Sequence, residues 1–149
     1  MRIALGADHA GVALKADIKQ LLDERGVSYT DFGTDSTDSV DYPDYAATVA
    51  REVAAGRFDR GILFCGSGIG MAIAANKIHG IRAASIMDEE SARLSREHND
   101  ANVLSLGERL TAPDVARRIV TTFLDTAFAG GRHQRRVDKI SGLDDAACE

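Results

Sequence analysis

The chain has 149 residues, 44% of them hydrophobic and 28% charged, which fits one domain with a real apolar core and excludes a disordered or fibrous polymer. A formal net charge of −5 and a pI near 5.3 leave no broad positive field for a nucleic-acid backbone, so nucleic acid is not an expected partner, although a small anion needs only a few well-placed cations. The two cysteines, Cys65 and Cys148, form no disulfide or zinc framework, the apolar start at residues 1–5 is too short for a signal peptide, and the uncharged run 61–75 is below spanning length, which together point to a reducing cytoplasm and to no membrane segment.

The pattern predicts a strand over 2–6, then an amphipathic helix over 12–25 that Gly26 stops. A strand over 28–32 follows, then a polar loop and a helix over 42–55 with Pro43 in its first turn. The third strand, 61–65, runs into Gly66-Ser67-Gly68-Ile69-Gly70 and a helix to about residue 78. Further on come a strand over 81–86, a helix over 89–98, a strand over 103–106 and a helix over 113–128. After Gly130-Gly131 and the basic run Arg132-His133-Gln134-Arg135-Arg136, a short helical tail reaches about residue 143 and is free to leave the body of its own subunit. Strands alternating with helices predict a Rossmann-like three-layer α/β/α sandwich with a five-stranded parallel sheet and a C-terminal helical tail, in a single domain over 1–149.

Ligands of open α/β sheets sit beyond the carboxyl ends of the strands, which directs attention to Asp8-His9, to Cys65 and its glycine loop, and to Arg109. The loop lets backbone amides approach an anion closely, but its G-x-G-x-G spacing after the third strand is not a dinucleotide fingerprint, and such loops are as often tight turns. A buried cysteine is ordinarily an inert small hydrophobe; at a strand end ahead of a helix it is also placed to become a usable thiolate. His98, beside Asn99 and Asp100, reads equally well as a helix C-cap, and His79 beside Gly80 reads as a helix stop. Asp8 could simply cap the next helix. Arg132 and Arg136 share one face of a helix with spacing fit to clasp one anion, although a charge run is usually a solvated face. The histidines and cysteines show no metal-ligand spacing.

Five stretches taken in order, Gly6-Ala7-Asp8-His9-Ala10-Gly11, Asp41-Tyr42-Pro43-Asp44-Tyr45-Ala46, Cys65-Gly66-Ser67-Gly68-Ile69-Gly70 with Ala74-Ala75-Asn76-Lys77, His98-Asn99-Asp100-Ala101-Asn102-Val103-Leu104 and Gly130-Gly131-Arg132-His133, resemble the family that contains ribose-5-phosphate isomerase B and the allose- and galactose-6-phosphate isomerases. The resemblance implies an aldose–ketose isomerase without cofactor or metal, a homodimer or dimer of dimers with active sites built across the subunit interface. It implies Cys65 as the base at C2, Ser67, where many relatives have threonine, as the group managing the enediol protons, and His98 in ring opening. The amides of Gly66, Gly68, Ile69 and Gly70 would steady the oxyanion, Asp8, Tyr42 and Asn99 would bind the sugar, and His9, Arg109, Arg132 and Arg136 would hold the phosphate. Members without the cysteine carry a glutamate base at the position held here by Met71, which places this sequence in the cysteine branch. D-ribose 5-phosphate is the expected substrate. A six-carbon sugar phosphate, a non-catalytic nucleotide or sugar-phosphate module, and a subunit of a hetero-oligomer are the competing readings.

Overall fold

Period-2 strands and apolar helical stripes sort the chain into βα units. In chain order these are β1 (Arg2–Ala7), α1 (Val12–Glu24), β2 (Ser28–Asp31), α2 (Tyr42–Ala54), β3 (Arg60–Cys65), α3 (Ile69–Ala75), β4 (Ala83–Ser85), α4 (Glu89–Asn99), β5 (Val103–Gly107), α5 (Pro113–Asp125) and α6 (Arg132–Ala146). The structure is a computed structural model that describes residues 1–146; Cys148, expected to be a tail residue without a role, lies outside the described residues.

All strand pairings are parallel, in the order β2-β1-β3-β5-β4. From this order the right-handed crossover rule assigns the helices to faces. The connections β1 to β2 and β4 to β5 run in one direction along the sheet and put α1 and α4 on one face, while β2 to β3 and β3 to β4 run the other way and put α2 and α3 on the opposite face. The two cores agree with this. Ile3, Leu5, Ile62, Phe64, Leu104 and Leu106 pack against Leu14, Ile18 and Leu22 of α1, Ala92 of α4 and Ile119 and Phe123 of α5. The alternate residues Ala4, Leu63, Cys65 and Val103 pack against Val49 and Val53 of α2 and Met71 of α3. The α/β/α sandwich, parallel five-stranded sheet and helical tail expected from the sequence are therefore present.

Several element ends differ from expectation, two for a tertiary reason and one for a local one. β4 pairs only with β5 and keeps ladder partners over Ala83–Ser85, although the flanking Ile81 and Ile86 are both buried as the apolar pattern implied. α3 closes early because Lys77 and Ile78 donate to Ala74 and Ala75, bonds three residues back that tighten the last turn. α5 stops at Asp125 because the Arg60 guanidinium takes the carbonyls of Phe123 and Leu124 and Thr126 turns extended, at φ −91° and ψ 123°.

The chain leaves β1 toward one edge of the sheet and leaves β3 toward the other. Adjacent strands whose connections diverge open a crevice at their carboxyl ends, and here the crevice lies between residues 8–11 and residues 66–68.

Candidate active site

Cys65 ends β3 opposite Gly107 of β5 and is only 4% exposed. Its Sγ accepts the Gly68 N–H at 3.1 Å, a bond that strengthens when the sulfur carries charge. That amide points at the sulfur because Gly68 adopts a left-handed conformation, φ 77°, just before α3, and because a side chain there would lie 3.0 Å from the backbone of Leu106. The Ser105 hydroxyl fixes the same turn by donating to the Gly68 carbonyl at 2.6 Å. Ser67, half-buried, accepts the Ile69 N–H at 3.3 Å through its Oγ.

Three other elements close on this loop. A methyl group added at Gly70 would lie 2.6 Å from Cζ of Tyr42, so the Tyr42 ring, held on the first turn of α2, lies directly over Gly70. The same construction at Gly66 meets a terminal nitrogen of Arg109 at 2.8 Å. Arg109 is brought there by its own N–H donating to the Gly66 carbonyl and that of Glu108 donating to the Cys65 carbonyl. Across the crevice, the Asp8 N–H donates to the Phe64 carbonyl at 3.1 Å and the Asp8 carboxylate accepts the Ala10 N–H at 2.9 Å. His9 Nδ1 accepts the Val40 N–H at 3.2 Å; a backbone amide has no lone pair to offer, so in the neutral ring the proton sits on Nε2, free to face an anion.

The remaining predicted residues stand elsewhere. α4 runs antiparallel to the strands, so His98 and Asn99 at its C-terminal end sit at the amino edge of the sheet. Their neighbours there are Arg82, which donates to the Asn99 carbonyl, and Asn102, whose carbonyl accepts from Gly61 at the start of β3. The length of α4, about 15 Å at 1.5 Å per residue, separates this edge from the Cys65 crevice. Arg132 and Arg136 stand on the first turns of α6, beside His133, which lies against His98. Cys65, Ser67, the glycine loop, Asp8, His9, Tyr42 and Arg109 thus gather in one cluster, and His98, Asn99, Arg132 and Arg136 in another. One chain does not bring the two clusters together.

His133 closes the Gly130-Gly131-Arg132-His133 motif, and its sequence context points to no role for it. Its ring stacks on His98 with centroids 4.2 Å apart and planes 13° from parallel. Partial cover of the ring, then the neighbouring His98, Arg132 and Arg136, push the His133 imidazole below its ordinary value. Glu108 was missed as well: its carboxylate accepts the Leu14 N–H at 2.9 Å and caps α1, whose own N-cap, Gly11, has no side chain to do so. Spacing alone could not have found either contact, since each joins distant parts of the chain. Met71 is fully buried in the layer between α2 and the sheet, as a thioether rather than a base would be. Among the described residues no three His, Cys, Asp or Glu side chains converge on a metal position, and no helix is long and apolar enough to cross a membrane.

Comparison with known proteins identifies the family. Residues 3–140 match the family described as Ribose/Galactose Isomerase. The chain is 49% identical over 143 residues to ribose-5-phosphate isomerase B of Escherichia coli, covering 96% of each. Its fold superposes on ribose-5-phosphate isomerase B of Clostridium thermocellum with a TM-score of 0.97 at 50% identity, covering 99% of each chain. It superposes on the Mycoplasma genitalium enzyme solved with bound ribulose-5-phosphate with a TM-score of 0.93 at 41% identity, covering 97% of this chain and 96% of that one. With the match running almost end to end in sequence and in fold, the chain belongs to the ribose/galactose isomerase family.

Proposed function

We propose that the chain interconverts D-ribose 5-phosphate and D-ribulose 5-phosphate through an enediolate, with the Cys65 thiolate as base and each active site completed by a second copy of the chain. The observation that carries this reading is the Cys65 sulfur at the floor of the crevice, receiving the Gly68 N–H beside a loop of close-packed glycines.

The chemistry divides among the residues by what each can give. His98, from the second copy, moves the proton from the anomeric hydroxyl to the ring oxygen and opens the sugar, work suited to an imidazole, whose two nitrogens can accept one proton and donate another. The Cys65 thiolate takes the proton from C2, and the electrons form the C1–C2 double bond and leave negative charge on the C1 oxygen. Of the loop amides, those of Gly66 and Gly70, which neither the Cys65 sulfur nor Ser67 takes up, stabilise that oxygen, a contribution of about 10² to 10³ in rate per donor in comparable sites. Ser67 passes the proton between the two enediol oxygens, and the Cys65 thiol returns its proton to C1. The sum is an isomerisation with no net oxidation, so no redox cofactor is called for. Asp8 and Tyr42 hold the sugar, with Asn99 joining from the second copy, and His9, Arg109, Arg132 and Arg136 take the phosphate.

Two rivals for the base are weaker. Met71 has no basic atom and no exposure, and Asp8 already spends an oxygen on the Ala10 amide. Ile69 and Ile73 on α3 and Leu110 just after β5 are exposed, apolar surface suited to burial against a second subunit. A base that must remain a thiolate belongs in a reducing compartment, the cytoplasm.

The test is Cys65→Ala in a protein whose fold is checked by circular dichroism. We expect kcat on D-ribose 5-phosphate to fall by about 10³-fold or more, and a variant that keeps the full rate removes Cys65 as the base. The same assay on D-allose 6-phosphate, compared as kcat/KM, reads the preferred sugar length.

A further inference from the structure

Lys15, on the inner face of α1, is 2% exposed, and a bare ammonium so deeply buried would be costly. Its three donors are all used. Nζ donates to Asp31 Oδ1 at 2.7 Å, to the Thr34 carbonyl at 2.6 Å and to Asp35 Oδ1 at 3.0 Å. Asp31 is further tied by the Gly33 N–H at 2.9 Å and by Lys19 at 3.0 Å. None of these groups touches the Cys65 crevice, and the reaction steps above do not use them.

What Lys15 holds is the start of the loop between β2 and α2. That loop is pinned to the end of β1 at Ala7, whose N–H donates to the Gly33 carbonyl at 2.7 Å and whose carbonyl accepts the Thr34 N–H at 2.8 Å. Its far end supplies the Val40 N–H that His9 Nδ1 accepts, and it then enters α2 at Tyr42, whose ring covers Gly70. The same stretch of backbone therefore fixes the tautomer of one ligand and the position of another. An apolar residue at position 15 would fill the space but leave the Asp31 carboxylate and the Thr34 carbonyl short of a donor, and the loop would be free to seek other partners.

We propose that Lys15 is a positioning residue for substrate binding: by clamping Asp31, Thr34 and Asp35 it sets the loop that holds the His9 imidazole with its Nε2–H toward the phosphate. This inference rests on the reading of His9 as a phosphate ligand. It predicts a binding defect, because the Cys65 base and its glycine loop stand on β3 and α3 and do not depend on the clamp.

The experiment compares Lys15→Met, Lys15→Arg and His9→Ala in steady-state kinetics, with the His9 ring followed by ¹⁵N-resolved NMR. Lys15→Met should raise KM for D-ribose 5-phosphate by about tenfold and leave kcat within about threefold of wild type. Its His9 ring nitrogens should lose the Nε2–H pattern and move toward a mixture of tautomers, and Lys15→Arg should recover part of both effects. A Lys15→Met enzyme with wild-type KM and unmoved His9 signals overturns the inference, as does a fall in kcat at unchanged KM. If Lys15→Met does not fold, Asp35→Ala decides the matter, since that side chain is 81% exposed and its loss removes one anchor without opening the core; a small rise in KM with shifted His9 signals supports the clamp, and no change in either defeats it. His9→Ala separates the two ideas. If it raises KM and Lys15→Met does not, only the clamp fails; if it leaves KM unchanged, the assignment of His9 fails and the clamp loses its role in binding.

Discussion

A cysteine that ends a buried strand is by composition a small hydrophobe, and Cys65 keeps that character where it packs in one core with Leu63 and Met71. Its difference lies in one amide, the Gly68 N–H, which the sequence hinted at by placing glycines just beyond the strand. Asp8, His9 and the loop were legible in the same way, as polar groups following apolar strands. The stack of His98 on His133 was not, because it depends on how α6 docks against α4, and no local period reports that. Asp31 allows a test at this scale. Burial alone would raise its carboxyl, but the Lys15 ammonium, the Gly33 N–H and Lys19 outweigh burial and hold it below the ordinary 3.8. A carboxylate depressed in the folded state lends its full stabilisation above the unfolded value and loses it as pH falls through the depressed one. Asp31→Asn should therefore lower the urea midpoint at neutral pH, and its deficit against wild type should shrink below about pH 4. A deficit that stays constant down to about pH 2 would show that shape, not charge, is what Asp31 contributes.

Helices and strands were readable wherever local pattern and tertiary demand agree. The stripe Leu14, Ile18, Leu21 and Leu22 gave α1, and Ala46, Val49, Ala50 and Val53 gave α2. Two ends are decided by partners far away in sequence: Arg60 stops α5 earlier than its own pattern implies, and Glu108 caps the start of α1. A capping carboxylate that arrives from the end of β5 makes a clear stability prediction. Glu108→Ala should cost about 1 kcal/mol in equilibrium urea unfolding, the usual loss for a removed N-cap. Glu108→Gln, which keeps an oxygen acceptor, should recover most of it. Equal stability of wild type and Glu108→Ala would mean that water replaces the cap at no cost.

At the level of the whole molecule, a feature invisible in local sequence is that the five motifs fall on two opposite edges of one sheet. Motif order and family resemblance gather Cys65 and His98 into one reaction, yet α4 carries His98 back to the amino edge while β3 delivers Cys65 to the carboxyl edge. A two-fold dimer resolves this, since an isologous contact can set the carboxyl edge of each subunit against the His98 and arginine cluster of the other. Each of the two sites would then hold Cys65 from one chain and His98 from its mate. Complementation follows directly. Cys65→Ala and His98→Asn chains should each be nearly inactive alone. Assembled at random from equal amounts, half of the dimers are mixed. In a mixed dimer one site receives both intact residues and the other receives neither, so the preparation should recover about a quarter of the wild-type rate. Differently tagged chains, co-expressed and purified through both tags, should raise that recovery to about half, because only mixed dimers remain. Activity no greater than the sum of the two parents would mean that Cys65 and His98 serve the reaction from within one chain, and that the amino-edge cluster has some other work.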